Sequence, residues 1–291
     1  LPAMTLSHLL IQALNGIQYG FLLFLVASGL TLVFGIMGII NLAHGAFYML
    51  GAYLCWWLTG VTGSLGLAIL LGVPISVLVG LAIERFGIVF LYKRDHLYQV
   101  LLTYGLILIF NETRSLLWGN DVYSVPIPAL LAGSIPLTEI QVYPVYRLFI
   151  SLVCLLLAAG LYLVIQRTRL GMTGRAGAAN REMLEALGID IRKLFAVVFA
   201  FGAALAAFAG MISAPVQSIY PGIGEDILIV SFVVVVIGGI GSIKGAFIGA
   251  MLIGLADTFG SVLLPIGSGT VVYAVMALVL LWRPQGLFGR T

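Results

Sequence analysis

Charge is the scarcest commodity in this sequence. Aspartate, glutamate, lysine and arginine together make up 9% of its 291 residues, where a soluble domain carries roughly 25%. Mean hydropathy is +1.16. So little charge cannot keep a chain of this length in water, which excludes a soluble enzyme or a nucleic-acid-binding protein. The two cysteines, Cys55 and Cys154, sit within apolar runs and read as small buried hydrophobes, not as a disulfide framework. The three histidines, at positions 8, 44 and 96, have no metal-ligand spacing. No G-x-x-x-x-G-K-[ST] phosphate loop, H-E-x-x-H, C-x-x-C, arginine-repeat voltage sensor or T-V-G-Y-G filter occurs in the sequence, so nucleotide binding, metalloprotease chemistry and potassium-type conduction lack their usual machinery.

What remains is hydrophobic, 62% of the chain. The apolar runs are Leu9–Gly35, Ala43–Leu58, Leu65–Ile83, Leu97–Trp118, Leu148–Ile165, Leu194–Ile212, Ile227–Ile240, Ala246–Leu264 and Val271–Trp282. Their lengths predict an all-α, polytopic membrane protein with about eight or nine spans, organised as one membrane domain over residues 1–291. The basic residues fall in Glu84–His96, Arg167–Lys193 and the Arg283–Thr291 tail. The Gly119–Tyr146 and Pro215–Asp226 loops carry acids. The positive-inside rule therefore places the basic loops and the C-terminus in the cytosol and the N-terminus outside.

Arg167–Lys193 is the longest polar interruption and holds six of the fourteen basic residues. Ala176–Leu187 is rich in helix formers and Gly188 follows as a C-terminal stop. This predicts a helix of roughly 18 Å, too short to cross a bilayer, with Met183, Leu184 and Leu187 as an apolar edge. A docking helix for a soluble partner and a solvated connector both suit these residues. A second feature is an internal echo. F-G-I-M-G-I-I-N-L-A-H-G-A-F from Phe34 and V-V-V-I-G-G-I-G-S-I-K-G-A-F from Val234 align Gly38 with Gly238, Gly45 with Gly245 and His44 with Lys244. Both are expected to end an inward-running span and begin an outward-running one, giving two parallel pseudo-repeats. Such glycine clusters suit helix breaks or close packing along a path. Asn41 and His44 either face an internal cavity or cap helices at the interface, and Asp257 stands alone in its run.

Four stretches taken together resemble one family: G-I-I-N-L-A-H-G-A-F-Y-M-L-G-A-Y from Gly38, R-A-G-A-A-N-R-E-M-L-E-A-L-G-I from Arg175, I-G-G-I-G-S-I-K-G-A-F-I-G-A from Ile237 and L-W-R-P-Q-G-L-F-G from Leu281. The chain is similar to the shorter permease subunit of bacterial branched-chain amino-acid ABC importers. The resemblance implies a transport subunit, not an enzyme, in the bacterial inner membrane. Its implied partners are a second related permease, two cytosolic ATPases that carry the ATP and magnesium, and a periplasmic substrate-binding protein. No cofactor is expected on this chain. It also implies an ATPase-coupling helix on Arg175, Ala179, Asn180, Arg181, Glu182, Ala186, Gly188 and Ile189. A path or hinge is implied at Gly38, Asn41, His44, Gly45, Gly238, Gly239, Gly241, Lys244 and Gly245. Substrates other than branched-chain amino acids (urea, amides, aromatic acids) and a stand-alone channel or ion-coupled carrier are the competing expectations.

Overall fold

The computed structural model describes residues 6–92, 94–137, 141–264 and 268–289. Lys93, Glu139, Arg290 and Thr291, which count toward the basic and acidic loops, lie outside the described residues, as does the side chain of Arg181. The described helices are α1 (Leu6–Leu32), α2 (His44–Thr62), α3 (Leu65–Phe86), α4 (His96–Trp118), α5 (Val145–Arg167), α6 (Arg169–Ala179), α7 (Arg181–Ala186), α8 (Ile191–Ser213), α9 (Ile223–Gly238), α10 (Ile243–Leu263) and α11 (Ser268–Trp282). Nine of these coincide with the nine apolar runs. Six are both long and apolar enough to cross a bilayer: α1 with the π-turn that extends it, α3, α4, α5, α8 and α10. α9 and α11 have 16 and 15 residues.

α2 is long enough, with 19 residues, but it carries His44, the aromatic pairs Phe47–Tyr48 and Trp56–Trp57 with Tyr53 between them, and two threonines that dilute its hydropathy. It tolerates most of them because its first three turns are buried in protein, exposure beginning only near Trp57. α3, α8 and α9 enclose it, and Tyr48, Tyr53 and Phe47 are fully buried. The same layering separates the other helices. In α1 78% of the spanning window is buried and in α8 67%, against 17% in α4 and α5. An inner group of α1, α2 and α8 is thus wrapped by lipid-facing helices whose exposed leucines, such as Leu101 and Leu156, take the place of a polar surface.

Among apolar lipid tails the hydrophobic effect gives helices little reason to associate, so close packing must hold them together. Glycine provides it. α1 and α10 run antiparallel, with Gly16 against Leu255, Gly20 against Ala250 and Met251, and Phe24 edge-on to Phe247 at 5.2 Å. Between α2 and α8, a Cβ on Gly51 would strike the backbone of Ala207, and one on Gly210 would strike the Tyr48 carbonyl.

The two ends of the bundle differ in charge. At the basic end, a 3-10 turn at Ile88–Leu91 follows α3, Tyr92 packs edge-on to Phe195 at 5.0 Å, and the tail pairs through the Leu287 N–H with the Ile237 carbonyl (2.8 Å). At the acidic end the proline-rich loop is ordered by a two-stranded antiparallel sheet, β1 (Ser134–Pro136) with β2 (Val142–Pro144). Tyr123 and Ile219 exchange backbone hydrogen bonds of 2.8 Å, which tie this loop to the second acidic one.

Candidate functional site

The first glycine-rich segment breaks α1 within the bundle. Val33–Met37 unwinds into a π-turn, and Gly38 then adopts φ +64°, a left-handed conformation that side chains resist. Residues 39–43 are non-helical, and α2 starts at His44. His44 Nε2 lies 2.9 Å from the Val26 carbonyl oxygen. Measured along α1 at 1.5 Å per residue, Val26 is roughly 16 Å from Met37, so α2 begins deep in the bundle and not at its basic surface. Asn41 and His44 are 1% and 0% exposed, which rules out the interfacial-cap placement. Asn41 Oδ1 and His44 Nδ1 are buried without a hydrogen-bond partner. Such backbone outside a helix is tolerated at this depth because protein surrounds it. Gly45 lets α2 approach α9, where an added Cβ would collide with the Gly224 carbonyl.

The second segment has the same order, helix, break, helix, with different geometry. Gly238 is still helical, while Gly239 (φ +94°) and Gly241 (φ +79°) make the turn. Gly238 packs directly on Gly245, closing α9 and α10 into a tight hairpin. Gly38 and Gly238, aligned in sequence, therefore adopt different conformations. His44 and Lys244 diverge too, one enclosed and the other exposed. The two breaks meet, since a Cβ on Gly35 would lie 2.7 Å from Gly241 Cα. A cavity of about 480 Å³ opens at this point toward the basic end, lined in part by Thr31, Gln166, Arg175, Ser242 and Lys244.

The helix expected over Ala176–Leu187 is two helices. Asn180 leaves helical geometry (φ −155°, ψ 104°) and its side chain accepts from the Met183 N–H at 3.0 Å, capping α7. A local side-chain cap here outweighs the helix-forming composition around it. Gly188 has the expected left-handed φ of +78°. The Gly188 N–H bonds to the Glu185 carbonyl and the Ile189 N–H to that of Leu184, both 3.0 Å, a Schellman stop. Asp190 then caps α8 by accepting from the Lys193 N–H at 3.2 Å. That backbone bond, with the Lys193 ammonium 3.4 Å away, holds the Asp190 carboxyl below the usual aspartate range. The expected apolar edge divides: Leu184 is buried against Gly177, while Met183 and Leu187 are more than 60% exposed. Ala179, Asn180, Glu182, Ala186 and Gly188 are exposed around them and Ile189 is half-buried. Arg175 stands apart from this group, its guanidinium donating to the Ile165 carbonyl beside the basic-end cavity.

The acidic end holds residues that reading the sequence missed. Two adjoining cavities of about 440 and 340 Å³ share Tyr19 and Gln217. Asp257, the one charged residue in its apolar run, lines the larger one. It faces a cavity that Arg147 also lines, at the start of α5. Gln12, Asn15 and Gln18, three residues apart along α1, reach the same cavity. That spacing was visible in the first apolar run as a polar stripe on one helix face.

Comparison with known proteins agrees with this architecture. The branched-chain amino acid transport system permease component family matches residues 12–282. The chain is 35% identical to the high-affinity branched-chain amino acid transport system permease protein BraD of Pseudomonas aeruginosa, across 97% of this chain and 96% of that protein. It is 31% identical to the corresponding protein LivH of Escherichia coli, with the same coverage. Similarity extends to LivM of Escherichia coli, at 28% identity over 92% of this chain and 68% of LivM. No solved structure matches the chain.

Proposed function

This chain belongs to the branched-chain amino acid transport permease family, and we propose that it is the membrane subunit of an ATP-driven importer of branched-chain or related hydrophobic amino acids. The observation that carries the proposal is the nearly end-to-end similarity to BraD and LivH. In this reading the basic end faces the cytosol of a bacterial inner membrane, with the C-terminus on that side. The partners are a second permease, two ATPases that bind ATP and magnesium, and a periplasmic binding protein that meets the acidic end. The weaker likeness to LivM, itself named a permease of such a system, supports pairing between two related membrane chains.

α7 supports the coupling role. It is short, capped at both ends and exposes Met183 and Leu187, which suits a rigid plug in a groove of an ATPase. Movement of that groove passes through α6 into α5 and through the Asp190 cap into α8. α8 packs on α2 and α3. Access alternates between the basic-end cavity and the acidic-end pair, while the region around Val26, Gly29, His44 and Gly202 stays closed in the structure described here. The test is purification of tagged protein from its native host in mild detergent, with mass spectrometry of the intact assembly. A second permease and two ATPase copies are expected. Recovery of this chain alone, under conditions that preserve other such assemblies, refutes the proposal.

A further inference from the structure

Charged side chains inside a membrane bundle are costly, and they usually pair with each other or face a solute route. Arg147 and Asp257 line one cavity and do not pair. The only ion pair among the described residues is Lys193–Asp190, at the other end of the bundle. Arg147 is held instead by a neutral group, donating to Asn15 Oδ1 at 2.6 Å. No hydrogen bond reaches Asp257 among the described residues. A cation and an anion are thus presented across the same cavity, each without a charged partner. The adjoining cavity, reached past Tyr19 and Gln217, has Ile223, Ile227 and Val230 on its wall together with Tyr48, Ser218, Tyr220 and Asp226. One end of the combined space holds the two unpaired charges and the other offers an aliphatic strip beside polar groups, with the Asp226 carboxylate there accepting from the Tyr220 hydroxyl at 2.7 Å; its volume lies in the range of small-molecule sites.

We propose that these two cavities form one site for a free aliphatic α-amino acid in its zwitterionic form. Arg147 takes the carboxylate, Asp257 takes the ammonium, and the side chain lies along Ile223, Ile227 and Val230. An amino acid satisfies both charges at once, which neither a simple cation nor a simple anion does. The proposal rests on the importer reading and adds a binding site within this chain.

The test labels a single cysteine. Ser261 lines the cavity mouth and is exposed, whereas the native Cys55 and Cys154 are buried. A polar thiol reagent therefore reports on S261C in the purified assembly. Millimolar leucine is expected to slow labelling. 4-Methylpentanoate, which lacks the ammonium, and 3-methylbutylamine, which lacks the carboxylate, are expected to leave the rate unchanged. In the S261C background, Asp257→Asn and Arg147→Gln should each weaken leucine protection by about tenfold or more, the usual cost of losing one hydrogen bond to a charged group. Equal slowing by all three compounds, or none by leucine, overturns the site. The same preparation, reconstituted with its binding protein and ATP, reports amino-acid uptake. Uptake without protection rejects the site and leaves the importer standing. Absence of any amino-acid uptake rejects the importer and the site with it.

Discussion

Adding one methyl group to Gly51 tests whether glycine contacts hold this bundle together. An alanine Cβ there would lie 2.7 Å from Ala207 Cα, inside the 3.4 Å at which ordinary contact begins, and its nearest neighbours are all backbone atoms of α8. Backbone cannot swing aside as a side chain does, so α2 and α8 must separate. Gly160 in α5 is the control, because a Cβ there meets nothing within 4 Å. Both substitutions gain about 1 kcal/mol of helix propensity. Gly51→Ala alone also incurs an overpacking cost of about 1–3 kcal/mol. The difference between the two variants isolates that cost. At about 2–4 °C per kcal/mol for a chain of this size, the apparent melting temperature of Gly51→Ala should fall below that of Gly160→Ala by several degrees. Thermal unfolding in detergent at one fixed scan rate measures it. Equal melting temperatures for the two would refute the packing argument.

Three further outcomes follow from other contacts. Asn180→Ala removes the cap of α7 and should destabilise that helix by about 1 kcal/mol, seen as faster amide exchange over 181–187, with Asn180→Asp restoring protection. Replacing His44 by leucine removes the side-chain hydrogen bond to the Val26 carbonyl, which keeps its helical partner within α1, and should cost about 0.5–1.5 kcal/mol in the same melting assay. The Asp190 cap should be pH-dependent. Because its carboxyl is held below the ordinary range in the folded chain, its contribution is complete above the ordinary aspartate pKa and disappears as pH falls through the lowered one. Amide protection of Lys193 should therefore drop on acidification, and Asp190→Asn should flatten that dependence.

Much of the architecture could be read from composition and spacing. The nine apolar helices stand where the hydrophobic runs are, since lipid requires such runs. Gly188 stops a helix because its left-handed backbone is a local property. Features set by tertiary placement were not legible. Asn180 splits the predicted helix because a single side-chain bond outweighs its neighbours' propensities. His44 and Lys244 occupy matched positions, yet one is enclosed by α1, α2 and α8 while the other opens to a cavity, and nothing in the local sequence records that difference. Arg147 sits at the junction of a loop and a span, where an arginine ordinarily signals only a boundary. Its relation to Asp257 depends on α5 and α10 converging on α1.

The α1–α10 contact also constrains how the protein is made. Gly16 and Gly254 pack against each other although roughly 240 residues separate them, which at about 5–20 residues per second is on the order of 10–50 s of translation. Throughout that interval α1 has left the ribosome without its main neighbour, and its amide-bearing face with Gln12, Asn15 and Gln18 has no cavity to line. The insertion machinery must shelter the first helix until α10, in about the last sixth of the chain, arrives. Nonsense mutations ahead of α10 therefore leave a first helix that quality-control proteases can recognise by its uncovered glycines and amides.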